Sequence, residues 1–356
     1  MFNCEFDRLL TKSVPHILEK IFFSLDYDSL KACSMVCKAW NDIHSCDRYQ
    51  RQAERKLREK EKNEQMLMKY SLKGDVEAVR NLLAMGMNPN RIMAWHAFEG
   101  TPLRMAAERG NIDVMNLLLN AGADPNFSKN RARSQLKSEG AFLIAVIYGQ
   151  KNAAQLLIHA GAEIDKEGIH GRTPLYYAAC MNMLNWDMTV MVAFLLNAGA
   201  NPNKADKFGN TPLMAAACKG YTDVVKMLIN GGAEPVAENH NGDTSLICAS
   251  REGHKDTVQY LLDAGGDSQK GNRFQRTPLL LASFHGHQKV AQILLRAGAD
   301  PDRGDKNGKT PLDYATKNGH NDIIKMLNDA KVRIENLKRL RPRPGGSDNS
   351  KKFRPK

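Results

Sequence analysis

Two different rhythms of apolar and polar residues run along this chain. Near the start, Val14, Ile17, Leu18, Ile21, Phe22 and Leu25 recur at helical spacing, which predicts one apolar stripe on an amphipathic helix. Pro15 suits its first turn, Asp28 is placed to cap a short second helix through Leu30 and Cys33, and Val36, Ala39, Trp40 and Ile43 make a third stripe. Three helices this short bury too little to be stable alone, since chains below roughly 40 residues seldom hold a core. The stripes are therefore expected to be covered by another protein or by the rest of the chain.

The second rhythm begins after residue 66 and has a fixed period. GNTPLMAAACKGYTDVVKMLINGGAEP, GDTSLICASREGHKDTVQYLLDAGGD, QRTPLLLASFHGHQKVAQILLRAGADPD and GKTPLDYATKNGHNDIIKMLNDA are variants of one unit. Their anchors Pro212, Ser245, Pro278 and Pro311 follow at 33-residue steps, with earlier anchors at Pro102, Ala141 and Pro174. In each unit Thr-Pro starts an inner helix, the hydroxyl capping while proline presets the backbone dihedral. Small pairs such as Ala106–Ala107 and Ala216–Ala217 let neighbouring helices approach. Gly110, Gly149, Gly220, Gly253, Gly286 and Gly319 end the inner helices in a left-handed conformation. Val224–Val225, Leu228–Ile229, Leu261–Leu262 and Leu294–Leu295 form the apolar side of an outer helix. One such unit cannot bury its own faces, so the units must stack.

These residues carry two resemblances. The repeat resembles the ankyrin repeat over residues 66–333, close to eight copies with the first and last as caps. Copy three departs from it, with Gly140–Ala141 where Thr-Pro is expected. The opening segment, residues 1–47, resembles an F-box through Val14-Pro15, Ile17-Leu18, Ile21-Phe22, Leu25, Leu30 and the ending Val36-Cys37-Lys38-x-Trp40. Together they imply an all-α chain: a three-helix F-box, then an ankyrin solenoid of helix pairs with hairpin or turn fingers.

Between them, residues 48–65 are charged, lack Gly and Pro, and place Glu54–Arg58 and Arg55–Glu59 four apart, which predicts a helical linker without a buried face. Residues 334–356 form a basic, Pro/Gly-rich tail expected to be disordered. Two insertions interrupt the array: FSKNRARSQLKSEG, basic through Lys129, Arg131, Arg133 and Lys137, and extra residues around Met183 to Trp186. Both are candidate contact loops.

The 356-residue chain is 42% hydrophobic, the range of soluble globular proteins. It lacks the apolar run of about 20 residues that a membrane span needs, and no signal peptide is expected at its start. Its seven scattered cysteines read as reduced thiols, placing it in the cytoplasm, the nucleus or both. The net charge of +12 raises nucleic-acid binding, but residues 48–64 contribute +3 and residues 338–356 contribute +7. The body is nearly balanced, so nucleic acid is not the expected partner.

No catalytic constellation emerges, and no cofactor is expected. Gly266 and Gly271 have phosphate-loop spacing, but Asn272 stands where lysine is required. His254, His287 and His320 share one repeat position and are expected to hydrogen-bond structurally, while His285 beside His287 lacks a third metal ligand at suitable spacing.

The resemblances imply recognition. The F-box implies that Val14, Pro15, Ile17, Leu18, Ile21, Phe22, Leu25, Leu30, Val36, Cys37 and Trp40 contact a Skp-type adaptor, and through it a cullin. The ankyrin resemblance implies a concave face built from finger tips and exposed inner-helix ends, here Lys207, Phe208, Lys219, Arg251, Arg273, Phe274, Arg276, Phe284, His285 and Lys306. Arginine and aromatic residues often dominate binding energy, and the excess of cations predicts an acidic or phosphorylated protein segment. The implied function is substrate receptor of a ubiquitin ligase. A non-degradative scaffold is the alternative, and a nucleic-acid-associated factor using tail and basic loop a third.

Overall fold

A computed structural model describes residues 46–95, 98–127, 139–181 and 187–340, and these divide between two compact units, Met1–Ala162 and Glu163–Lys356. The expected three-helix segment up to residue 45, residues 128–138 and 182–186 of the two insertions, and the tail beyond Leu340 lie outside the described residues.

The first unit opens with α1 (Cys46–Lys73), a single helix of 28 residues. It is about 42 Å long at 1.5 Å per residue. The expected linker is thus the front of the first repeat's inner helix. From Glu54 to Asn63 its side chains are exposed or half-buried, whereas Glu64, Leu67, Met68 and Ser71 are buried. Helix α2 (Val76–Ala84) is capped by Asp75 and followed by an antiparallel hairpin, β1 (Met93–Trp95) with β2 (Phe98–Gly100), in which Met93 pairs with Gly100. Then come α3 (Pro102–Arg109), α4 (Ile112–Asn120), α5 (Ala141–Ile147) and α6 (Lys151–His159). Inner helix α3 packs between α1 and α5, and outer helix α4 between α2 and α6. The atypical copy still forms its inner helix: α5 starts at Gly140 without a side-chain cap, and all seven of its residues are buried. Apolar burial here substitutes for a cap that elsewhere contributes about 1 kcal/mol.

In the second unit a short 3-10 turn (Ile169–Gly171) precedes α7 (Pro174–Cys180) and α8 (Met188–Asn197). The regular copies follow as α9 (Pro212–Lys219) with α10 (Thr222–Asn230), α11 (Ser245–Glu252) with α12 (Lys255–Asp263), α13 (Pro278–His285) with α14 (Gln288–Arg296), and α15 (Pro311–Lys317) with α16 (Asn321–Leu340). Inner helices stack α7, α9, α11, α13, α15, and outer helices stack α8, α10, α12, α14, α16. Each inner helix in this unit begins at a threonine whose Oγ1 accepts the backbone N–H three residues on, as Thr277 does from Leu280 at 3.2 Å. Leu213, Leu246, Leu279, Leu228, Leu261 and Leu294 fill the seam between the layers. The last helix runs to Leu340, past the expected boundary at 333, so residues 334–340 are helical where a disordered tail was expected.

Successive copies are tied by one recurring bond. The residue after the helix-ending glycine reaches back to the inner helix before it: His254 Nε2 donates to the Cys218 carbonyl (3.0 Å), His287 to Arg251 (2.8 Å) and His320 to Phe284 (3.2 Å). Asn111 does the same in the first unit, to Ser71 at 2.8 Å. This answers the expectation for the three histidines and explains one glycine: at Gly253, with φ +84°, a Cβ would meet His287 Nδ1 at 2.5 Å. Among the described residues no helix is long and apolar enough to cross a membrane, and no group of three or more His, Cys, Asp or Glu side chains could hold a metal ion.

Candidate recognition surface

The fingers of the second unit are turns closed by one side chain each. Asp206, Asn239, Asn272 and Asp305 stand 33 residues apart, and the Oδ1 of each accepts the backbone N–H groups two and four residues on, between 2.9 and 3.1 Å. Such Asx turns supply locally the bonds that a strand pair supplies in a hairpin. Each tip then donates to the finger before it: Lys207 to His170, His240 to Phe208, Arg273 to Asn241 and Lys306 to Phe274, at 2.8 to 3.0 Å. Side chains repeat the tie, with Asn239 Nδ2 donating to Asn210 Oδ1 and Asn272 Nδ2 to Asp243 Oδ1, both at 2.8 Å. The tips Lys207, His240, Arg273 and Lys306 therefore form one column of three cations and a histidine.

One finger breaks the backbone rule. Gly209, Gly242 and Gly308 occupy a left-handed position in their turns, and the equivalent residue of the third finger is Gln275, at φ +58°. An L-residue there costs about 1 to 2 kcal/mol. The strained finger carries Phe274 and Arg276, both expected contact residues.

Those two residues line a recess of about 270 Å³ together with Arg251, Phe284 and His285, so five of the ten expected concave-face residues converge. Asn241, Asp243, Asn272, Leu280, Leu281 and Tyr314 complete its wall. Phe284 stands edge-on to Tyr314 with ring centres 5.4 Å apart and edge-on to His285 at 4.8 Å, and the Arg276 guanidinium lies 5.6 Å from the Phe274 ring centre. Phe274 is 52% exposed and Phe284 39%, so neither is consumed by the fold. Phe208, also 52% exposed, lies two fingers away against His170, at 5.8 Å. Lys207, Lys219, Arg273 and Lys306 are exposed outside the recess.

Arg251 has a different place from the one expected. Its Nη1 bonds Asp243 Oδ2 at 3.1 Å, its Nε bonds Glu252 Oε1 at 3.2 Å, and Nη2 lies 3.7 Å from Cys218 Sγ and 3.9 Å from Cys248 Sγ. Burial works against its charge, but Cys248, Cys218 and Asp243 outweigh it and hold the guanidinium above its ordinary range. Arg251 is thus part of the wall. Deeper in, Tyr314 Oη donates to Asp305 Oδ2 at 2.8 Å. Burial raises the Asp305 carboxyl, yet Tyr314, the turn amides of Asn307 and Lys309, and nearby Arg276 together bring it below the usual range. The same bond pushes the Tyr314 phenol up. Burial and the charge of His287 lower His285, which favours its neutral form.

The recess thus combines an aromatic floor with polar walls in which Arg251 is neutralised by Asp243, while its rim is basic: among the described residues no ion pair reaches Lys207, Lys219, Arg273, Lys306 or Lys309. Sequence reasoning placed Asp243 on the concave face but did not place Tyr314 or Asn272 at this wall. The signal was present in their repeat positions, since Tyr314 sits four residues after a capping threonine on the inner helix next to Phe284. The expected adaptor-binding residues from Val14 to Trp40 lie outside the described residues.

Comparison with known families finds ankyrin repeats over residues 34–129, 184–272 and 264–336, and an F-box domain over residues 14–51. Comparison with curated proteins returns no match.

Proposed function

Because the chain belongs to the ankyrin-repeat family and carries an F-box domain, we propose that this protein-interaction molecule is the substrate-recognition subunit of a cullin-type ubiquitin ligase. The F-box docks a Skp-type adaptor and through it a cullin, using the apolar residues between Val14 and Trp40. The concave face of the second unit binds the protein to be modified, whose apolar side chain enters the Phe274–Phe284–Tyr314 recess while acidic or phosphorylated neighbours meet Arg273 and Lys306 on the rim. The chain's own part is positional. Holding a substrate lysine near a thioester carried by another subunit converts a bimolecular encounter into a local one, an effect that in well-oriented cases reaches many orders of magnitude in effective concentration.

The observation that carries this reading is the F-box match ending at residue 51, inside helix α1, which runs without interruption to Lys73 and there serves as the inner helix of the first repeat. A module that binds a ligase adaptor and an array suited to protein recognition share one helix. Affinity purification from cells of the full chain and of Val36→Asp tests it. The full chain recovers adaptor, cullin and array partners, and Val36→Asp recovers the array partners alone. If neither adaptor nor cullin accompanies the full chain, a non-degradative scaffold is the better reading. If Val36→Asp also loses the array partners and its helical melting transition, the opening segment is a structural cap of the array.

A further inference from the structure

The thiols beside Arg251 take no part in recognition as described above. Cys218, on α9, and Cys248, on the adjacent α11, both lie within 4 Å of Arg251 Nη2, whose guanidinium is anchored on its other edges by Asp243 and Glu252. Cys248 is 2% exposed, whereas Cys218 is only partly covered, and Arg251 Nη2 points at both sulfurs. One of the two cysteines is therefore partly exposed, its sulfur faces a fixed cation, and a second, buried thiol shares that cation. This is the environment that activates a cysteine.

We propose that Cys218 is a thiolation site that reacts with low-molecular-weight disulfides of the glutathione type. The Cys218 thiolate attacks one sulfur of R–S–S–R, the new S–S bond forms as the old one breaks, and R–S⁻ leaves with the electron pair and takes up the proton that Cys218 released. Cys218 is oxidised to the disulfide level and half of the reagent is reduced to thiol.

The surrounding groups support this direction. The neighbouring Cys248 thiol lowers the Cys218 thiol, burial opposes it, and Arg251 adds to the lowering, bringing it to about 7, with Glu252 working against it. From α7, Cys180 and Tyr176 face the same sulfur; both are raised, chiefly by burial, and stay neutral, and Cys180 is pushed up to about 11. Cys248 is raised well above its ordinary value by the neighbouring Cys218 sulfur and by burial. Buried Cys248 is shielded from the reagent, so the adduct forms on Cys218.

Cys180 is the internal reference. The Cys218 thiol is lowered and the Cys180 thiol raised, so more of Cys218 is thiolate at neutral pH, and the weaker intrinsic nucleophilicity of the lower-pKa thiol returns only part of that advantage. The reduced full chain is incubated with oxidised glutathione from pH 5.5 to 9.5, and adducts are quantified peptide by peptide by mass spectrometry. The expected result is a glutathione adduct on Cys218 that forms at least tenfold faster than on Cys180, with a midpoint near pH 7. Cys248→Ala and Arg251→Gln should each move that midpoint upward, and Cys218→Ser should abolish the fast adduct. Equal rates at Cys218 and Cys180, a midpoint at or above about 8.5, the unperturbed thiol value, or a Cys218–Cys248 bridge as main product would overturn the proposal. If Arg251→Gln fails to melt cooperatively, the wild-type midpoint and Cys248→Ala decide.

Discussion

Phe274→Ala separates recognition from folding, because this ring serves the fold so little. Its side chain is 52% exposed, at the tip of a turn held by Asn272. A phenylalanine that buries roughly 200 Å² when fully covered leaves about 100 Å² here for a partner to cover. At about 25 cal/mol per Å² that area is worth about 2.5 kcal/mol, or about 70-fold in affinity. Against this, the fold loses the contact with Arg276 at 5.6 Å. That contact is worth about 0.5 to 1 kcal/mol at an exposed site, and the melting temperature should drop by only a few degrees. The assay is quantitative affinity purification at sub-saturating receptor, with partner recovery normalised to the co-purifying Skp-type adaptor and a thermal melt on the same preparation. Partner recovery should fall by one to two orders of magnitude while the adaptor stays constant. Unchanged recovery of every array partner would refute the placing of the binding face at this recess and move it to the insertions near Arg131 or Trp186.

Two further outcomes concern the same finger and its neighbour. Gln275→Gly removes a left-handed L-residue, and after the extra backbone freedom of glycine in the unfolded chain it should stabilise by about 0.5 to 1 kcal/mol, read as a higher urea midpoint; a lower midpoint would show that the Gln275 side chain makes contacts worth more than the strain. Tyr314→Phe removes the hydroxyl that donates to Asp305. A depressed carboxyl contributes stability above its unfolded pKa of about 3.9 and loses it as pH falls through the folded value. The variant should thus be destabilised by about 1 to 2 kcal/mol at pH 7 and progressively less as the pH falls below about 4. An equal deficit at both ends of that range would refute the role given to this bond.

Much of this protein is legible in its sequence because the decisive interactions are short. A threonine cap reaches three residues, a helix-ending glycine acts on its own turn, and an Asx turn closes over four residues, so the 33-residue period announces helices, fingers and their order. The apolar spacing from Val14 to Trp40 is equally local, and it is matched as an F-box. The linker was less legible: composition showed a helix, but only packing revealed that Glu64, Leu67 and Met68 turn the same helix into the first repeat. Likewise the helicity of residues 334–340 follows from continuation of α16, whose earlier turns are anchored by buried Ile323 and Leu327, against a composition that reads as tail.

What the sequence determined by itself was the repeating unit and the residues displayed at each repeat position. What tertiary structure alone decided was which of them meet. The recess joins Asp243 and Arg251 of one copy, Phe274, Arg276 and Phe284 of the next, and Tyr314 of the last, residues far apart in the chain that stacking sets side by side. Counted along the sequence, Arg251 was one more cation for an acidic ligand. In the stack it meets Asp243 from the finger and Cys218 from the preceding helix, and its charge is taken up inside the protein. Charge and pattern are properties of a residue, whereas availability depends on neighbours that only the folded stack supplies.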